Sequence, residues 1–339
     1  MSQTFTKGRI DIISMGCSKN LIDSERLLHR LEAKGYSVHH DSDSPQGEIV
    51  IVNTCGFIAD AKQESIELLL ELSELKKHGK IGAIYVMGCL SQRYLEILPQ
   101  EIPEIDRWYG KFNWSQIVDT LPDRTSYPSA RVKDWERTLT TPGWSAYLKI
   151  SEGCNRFCAF CAIPLITGRH TSRPIEEIAD EVRSLVAEGV KEFNVIAQDL
   201  SSYGLDLYDE KALPRLIETI ADIPGVEWIR LHYAYPADFP KDILRVMRER
   251  RNVCNYLDIA LQHIADPVLS NMRRNISSSE TIELLDEIRR EVPGIKIRTT
   301  LMVGFPGEGD DEFEQLMEFV RTQKFDRMGA FAYSEEDDT

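Results

Sequence analysis

Short apolar runs alternate with helix-length amphipathic stretches along nearly all of the 339 residues, and this alternation limits the fold more than any other feature. Residues 9–15 (RIDIISM), 48–53 (EIVIVN) and 83–87 (AIYVM) read as strands. Between them, 24–34 carries Leu27, Leu28 and Leu31 on one helical face, and 59–77 carries Ile66, Leu69, Leu70 and Leu75. Strands separated by helices of this length form βαβ units and a parallel sheet, so the expected class is α/β with a doubly wound N-terminal domain over 1–120. Periodicity fades over 121–143, where Pro122, Pro128, Pro142 and Gly143 interrupt charged residues, and this stretch reads as a linker. A second alternation fills 144–339, with strands at 146–150, 192–197, 227–231, 256–260, 296–302 and 327–332. Helices are expected at 175–188, 213–221, 241–250, 278–291 and 311–323. Six β/α units are fewer than the eight of a closed barrel, so an open, partial (β/α)6 barrel is expected.

The chemistry sits where such sheets bind ligands, at the carboxyl ends of the strands. Cys17, Cys55 and Cys89 each follow one of the first three strands. They read as a converging set; the competing reading is three small buried hydrophobes, as free Cys often is. The second domain opens with Ser151-Glu152-Gly153-Cys154-Asn155-Arg156-Phe157-Cys158-Ala159-Phe160-Cys161. A structural zinc site needs four N or S ligands, usually as two pairs, and this loop has neither a second pair nor a His. Three thiols on one short loop suit a cubane iron–sulfur cluster with its fourth iron open, against the alternative of a zinc knuckle. Cys254, without Cys neighbours, reads as structural.

The CxxxCxxC loop, with Phe160 before its last Cys and at the head of a six-unit β/α run, resembles the radical S-adenosylmethionine (SAM) superfamily. Gly16-Cys17-Ser18-Lys19-Asn20, Asp23-Ser24-Glu25, Asn53-Thr54-Cys55 and Met87-Gly88-Cys89 narrow the resemblance to its methylthiotransferases, over essentially the whole chain. Lys19 before Asn20, His232-Tyr233 and Leu261-Gln262-His263 look more like the ribosomal-protein branch than the tRNA-modifying one. Ala260 stands where relatives often have Pro. Relatives normally end in a small β-barrel TRAM domain, which is expected to be absent from a chain that stops at Thr339.

The resemblance implies SAM and two 4Fe-4S clusters. Cys154, Cys158 and Cys161 would hold the SAM-chelating cluster, and Cys17, Cys55 and Cys89 an auxiliary one that supplies or carries sulfur. It implies transfer of a methylthio group to the β-carbon of an aspartate in small-subunit ribosomal protein S-twelve. An electron donor such as flavodoxin or ferredoxin would serve it. Rival readings are the same chemistry on a tRNA adenosine, and a non-catalytic iron–sulfur carrier or scaffold. Two sets of three thiols argue against a carrier, which would ligate each cluster with four. Phe160 and Ile163 would flank the adenine or simply pack the loop. Gln198 and Asp199 would lie near the SAM amino group or form a turn. Arg230 and Arg298 would pair the SAM carboxylate or make structural salt bridges, and Gly304, in Gly304-Phe305-Pro306-Gly307, would let the backbone approach the adenosine or form a plain turn.

Charge bears on the partner. Lys plus Arg number 40 against 55 Asp plus Glu, a net charge of −15. Such a chain has little basic surface for phosphates, so a protein substrate fits better than stable nucleic-acid binding. The clusters Arg248-Glu249-Arg250-Arg251 and Arg273-Arg274 read as solvated helix ends. No run approaches the roughly 20 apolar residues of a membrane span, and residues 1–17 lack a signal-peptide pattern, so the expected location is cytoplasmic with no membrane partner. Nucleotide-binding glycine motifs and H-E-x-x-H are missing.

Overall fold

The structure is a computed structural model that describes residues 4–125 and 132–339. Pro128 of the expected linker lies outside the described residues, as do the first three residues of the N-terminal segment. The chain divides into two compact units, one of Met1–Thr140 with Leu165–Thr167, the other of Thr141–Pro164 with Gly168–Thr339.

The first unit runs β1 (Thr6–Ser14), α1 (Ser18–Ala33), β2 (Ser37–His40), β3 (Gly47–Thr54), α2 (Ala59–Lys77) and β4 (Ala83–Gly88). It continues with α3 (Cys89–Arg93), α4 (Leu98–Glu101), β5 (Arg107–Trp108) and α5 (Ser115–Thr120). All five strands are parallel, in the order β2-β1-β3-β4-β5. Successive side chains of a strand point to opposite faces. Accordingly Ile49 and Ile51 of β3 join a core with Leu27, Leu28 and Leu31 of α1, while Val50 and Val52 join one with Leu69 and Leu72 of α2. A core on each face is the doubly wound arrangement.

The expected linker needs correction. Leu121 is buried in the first core, and the Arg124 amide donates to the Lys34 carbonyl at 2.9 Å. Arg137 then pairs with Glu25 at 2.5 Å, both side chains 1% exposed. Glu25 also accepts the Thr140 amide at 2.8 Å. A buried ion pair of this kind fastens the segment to the first unit, so the division falls after Thr140 rather than at residue 120. The stretch reads as a linker in the sequence because the partner of its buried Arg137 lies over a hundred residues earlier.

The second unit opens with β6 (Ser145–Lys149), β7 (Ser151–Glu152), α6 (Ile163–Thr167), β8 (Thr171–Ser172), α7 (Ile175–Ala187) and β9 (Glu192–Ile196). Then come α8 (Leu205–Tyr208), α9 (Leu213–Ala221), β10 (Trp228–Ala234), α10 (Asp242–Glu249), β11 (Val253–Gln262) and α11 (Asp266–Asn271). It ends with α12 (Ser278–Glu291), β12 (Lys296–Val303), α13 (Asp310–Gln323) and β13 (Arg327–Ala332). Six parallel strands line up as β13-β12-β11-β10-β9-β6, with β7 and β8 as a separate antiparallel pair. β13 and β6 are unclosed edges, so this is the open (β/α)6 sheet. One face is apolar, with Phe193, Val195, Ile229, Leu231, Leu257, Ile259 and Ile297 at most 1% exposed. The alternate residues Glu192, Asn194, Arg230, His232, Asp258 and Arg298 make the other face polar and bond to one another. No described helix is long and apolar enough to cross a membrane.

Candidate functional site

In the first unit the three cysteines stand at the carboxyl ends of neighbouring strands. Cys17 precedes α1 just beyond β1, Cys55 follows β3, and Cys89 opens α3 directly after β4. Side chains of the flanking motif tie these ends together. Asn20 donates to the Met15 and Thr54 carbonyls at 3.2 and 3.0 Å, Asn53 to the Asn20 carbonyl at 2.8 Å, and Thr54 to the Met87 carbonyl at 2.7 Å. Two glycines are demanded by geometry. Gly16 has φ +86°, and a Cβ there would stand 2.8 Å from the Cys55 sulfur; Gly88 has φ +102°, and its Cβ would stand 2.4 Å from Asn53 Oδ1. Burial pushes the Cys55 thiol up, and pushes Cys89 up to about 12 against the opposing Lys111 ammonium, with Cys17 and Cys55 adding to the rise. Cys55 and Cys89 therefore keep their protons at neutral pH until a metal displaces them.

The second unit places its three cysteines on the loop after β7. The Ala159 amide donates to the Met272 carbonyl at 3.0 Å and the Cys161 amide to the Cys158 carbonyl at 3.0 Å. Phe157 is held at φ +50°, unusual for an aromatic residue and a sign of an over-determined loop. Burial raises Cys154 to about 11 and Cys161 to about 12. Donors are nonetheless aimed at the sulfurs: the Arg156 amide at Cys154 (3.5 Å), the Ile163 amide at Cys161, and Arg274 Nη1 at Cys158 (3.7 Å). Hydrogen bonds to sulfur favour thiolate ligands and tune an iron–sulfur cluster. Among the described residues no three Cys, His, Asp or Glu side chains meet where one ion would be shared. A cluster held through one thiol per iron does not ask for that, so the donor set fits a multi-iron group rather than a mononuclear ion.

The remaining expected contacts divide. Phe160 packs edge-on to Phe305 at 6.1 Å, beside Met302 and Tyr333, and Ile163 starts α6 next to the loop. Gln198, just past β9, donates to Glu152 and leaves its buried Oε1 without a hydrogen-bond partner. Asp199 is engaged by Arg156 at 2.8 Å and caps the next turn through the Ser201 amide. Gly304 ends β12 at φ +77°, and its amide donates to Glu308 at 2.6 Å. Tyr233 and Gln262, at the ends of β10 and β11, are also left-handed at φ +68° and +71°.

Arg230 and Arg298 make salt bridges, the alternative weighed for each. Each is the third residue of its strand, near the amino ends and away from the cysteine loop, and each is paired: Arg230 with Glu192 at 3.1 Å, Arg298 with Asp258 at 2.5 Å. They are structural ion pairs of the polar sheet face. Cys254, the second residue of β11, lies near that same pair, its thiol pushed up by burial.

Sequence reasoning missed the groups around Cys158. Tyr235 Oη stands 3.8 Å from its sulfur, and the guanidiniums of Arg156 and Arg274 lie over the Tyr235 ring at 4.3 and 4.1 Å. Arg274, expected at a solvated helix end, is 3% exposed. The Arg273-Arg274 doublet offered no signal to separate its two members; the backbone on either side of Arg274 is left-handed, at φ +56° for Arg273 and +49° for Asn275.

Comparison with known proteins covers both units. The family model described as the radical SAM superfamily matches residues 148–320, and that of uncharacterized protein family UPF0004 matches 9–110. The ribosomal protein uS12 methylthiotransferase RimO of Phocaeicola vulgatus is 62% identical over 333 residues, covering 98% of this chain and 76% of that protein. The RimO of Flavobacterium johnsoniae is 48% identical over 339 residues, covering 100% of this chain and 77% of that protein. Among solved structures, the radical SAM methyltransferase TsrM from Kitasatospora setae superposes with a TM-score of 0.67 at 17% identity, over 95% of this chain and 72% of that one. That likeness is one of fold. Identity above 60% across both cysteine sets decides the family: the chain belongs to the RimO ribosomal protein uS12 methylthiotransferases of the radical SAM superfamily.

Proposed function

We propose that this chain transfers a methylthio group from its own iron–sulfur machinery to the β-carbon of an aspartate on ribosomal protein uS12, working in the cytoplasm with a one-electron donor such as flavodoxin or ferredoxin. One observation carries the reading: two independent sets of three thiols, one at the carboxyl ends of three neighbouring parallel strands and the other on the single loop after β7. The uS12 substrate in the relatives' names favours the ribosomal protein over tRNA adenosine, and their transferase activity over an electron carrier.

Cys154, Cys158 and Cys161 would hold a 4Fe-4S cluster whose open iron takes SAM, and Cys17, Cys55 and Cys89 a second one. When bound, the first cluster supplies the electron that cleaves SAM into a species able to take hydrogen from an unactivated carbon. The protein's share is positioning. The Gly304 turn, held by Glu308, exposes backbone at the end of β12, and the Phe160–Phe305 pair supplies an apolar wall for an adenine. Gln198 Oε1 offers an acceptor to an ammonium group. The second thiol set depends on Gly16 and Gly88, where a Cβ would crowd the Cys55 sulfur and Asn53 Oδ1.

Anaerobic reconstitution should load about eight irons, and changing Cys154, Cys158 and Cys161 together to Ala should leave about four, because each cubane holds four. With SAM and a reductant, a peptide copying the uS12 aspartate loop should gain the mass of a methylthio group while tRNA gains none. Loss of all iron in the triple variant would reject two separate clusters, and a mass gain on tRNA alone would reassign the substrate.

A further inference from the structure

Arg274 presents a physical anomaly. A guanidinium does not give up its proton inside a protein, and burying a charge without an opposite one costs several kcal/mol. Arg274 is 3% exposed, yet among the described residues no carboxylate pairs with it. Its neighbours are the Ala260 carbonyl, which accepts from Nη2, the Tyr235 ring at 4.1 Å, and the Cys158 sulfur, 3.7 Å from Nη1; Nε is buried without a partner. Its backbone is fixed from both directions: the amide donates to the Leu269 carbonyl at 3.0 Å, and the carbonyl accepts from Tyr235 Oη at 2.8 Å. Arg156, over the same ring, is the internal contrast. It is balanced twice, by Asp199 at 2.8 Å and by Asp238 at 3.1 Å. One of the two arginines beside this loop is thus neutralised by the protein, and the other is left positive.

We infer that Arg274 is the counter-charge of the cluster held by Cys154, Cys158 and Cys161, and that by donating to the Cys158 thiolate it makes one-electron reduction of that cluster easier. The inference rests on the cluster assignment proposed above. Its electron balance is simple: the reductant, a one-electron donor, loses one electron, the cluster gains it, no bond forms or breaks, and the site becomes more negative by one charge. A fixed cation at hydrogen-bond reach of a ligand sulfur favours the more negative state, and low dielectric around a buried residue enlarges the effect. Tyr235 acts as the platform that keeps the guanidinium from turning away, through its ring and through its hydroxyl on the Arg274 carbonyl. The same cation is a liability before iron arrives, since among the described residues no carboxylate then balances it. Arg274 therefore acts in opposite directions on the iron-free and the loaded protein, which a purely structural arginine would not do.

The test uses the full chain with Cys17, Cys55 and Cys89 changed to Ala, so that a single cluster titrates against dithionite. Iron content is measured first. About four irons must bind; none would overturn the cluster assignment itself rather than the role of Arg274. In that background Arg274→Met should lower the ratio of reduced to oxidised cluster at a fixed solution potential about tenfold, equal to 59 mV for one electron. Arg274→Lys should stay within about twofold of the parent, and so should Arg156→Met, whose charge two carboxylates already balance. Iron-free Arg274→Met should unfold at no lower a temperature than the iron-free parent, because it removes an unpaired buried charge. An unmoved potential in Arg274→Met, a Lys variant as low as the Met variant, or an iron-free Met variant that unfolds at lower temperature would each overturn the inference.

Discussion

His170 shows how a single buried side chain links this fold to pH. It is 5% exposed, its Nε2 lies 3.1 Å from the Ser172 hydroxyl, and burial holds its pKa below the usual imidazole value despite the nearby Asp206. In the unfolded chain the imidazole takes a proton below about pH 6.5, whereas in the fold it stays neutral to lower pH. Between those two values the unfolded state binds more protons, so stability falls as pH drops from about 6.5. The urea midpoint of the iron-free protein should be lower at pH 5.5 than at 7.5, and His170→Gln should narrow that difference; an unchanged difference would assign the pH dependence elsewhere. At this scale the sequence was legible only where residues advertise themselves by spacing. The six cysteines did so. Arg274 and Tyr235 did not, because Cys158 is 116 residues from the one and 77 from the other, and proximity of that kind is created only by the sheet. Arg230 and Arg298 carried two readings that spacing could not separate; each lies near the amino end of its strand and is paired with a carboxylate.

The elements of the second unit were readable because each buries one apolar face, and the expected helices at 213–221 and 278–291 coincide with α9 and α12. β2 and β5 escaped notice, being four and two residues long and without an apolar run. What periodicity could not show is how strand ends are fastened. β12 stops at a turn held by one carboxylate: Glu308, with a side chain 5% exposed, accepts the amides of Gly304 at 2.6 Å and Phe305 at 3.2 Å, with His263 Nε2 3.7 Å away. The His263 Nδ1 accepts the Ala265 amide at 3.1 Å, so its proton sits on Nε2, facing Glu308. The ends of β11 and β12 are thereby joined through one side-chain pair. Replacing Glu308 by Ala strands two amides and the imidazole, and hydrogen bonds to a charged group are worth about 1.5–3 kcal/mol each. Glu308→Ala should therefore cost roughly 3 kcal/mol in chemical denaturation, with Glu308→Gln recovering part of it. A cost below about 0.5 kcal/mol, the level of an ordinary surface substitution, would show that something else holds the turn.

For the molecule as a whole, charge is what composition says most clearly, and it acts on the encounter rather than on the chemistry. The chain carries −15, and ribosomal proteins as a class are basic, so the two attract over distances greater than any contact. Such steering raises association rates and is weakened by salt, since the screening length falls from roughly 30 Å at 0.01 M to 10 Å at 0.1 M and 3 Å at 1 M. The cysteines of the loop after β7 are buried or half-buried and screened far less, so cleavage of SAM should be almost indifferent to the same change. The rate at which the reconstituted protein captures a basic peptide copying the uS12 aspartate loop, followed by stopped flow, should fall on the order of tenfold between 0.01 M and 0.5 M KCl. SAM cleavage without the peptide should change little over that range. Capture that ignored salt while cleavage followed it would place the decisive charges at the reacting centre and remove the case for long-range steering.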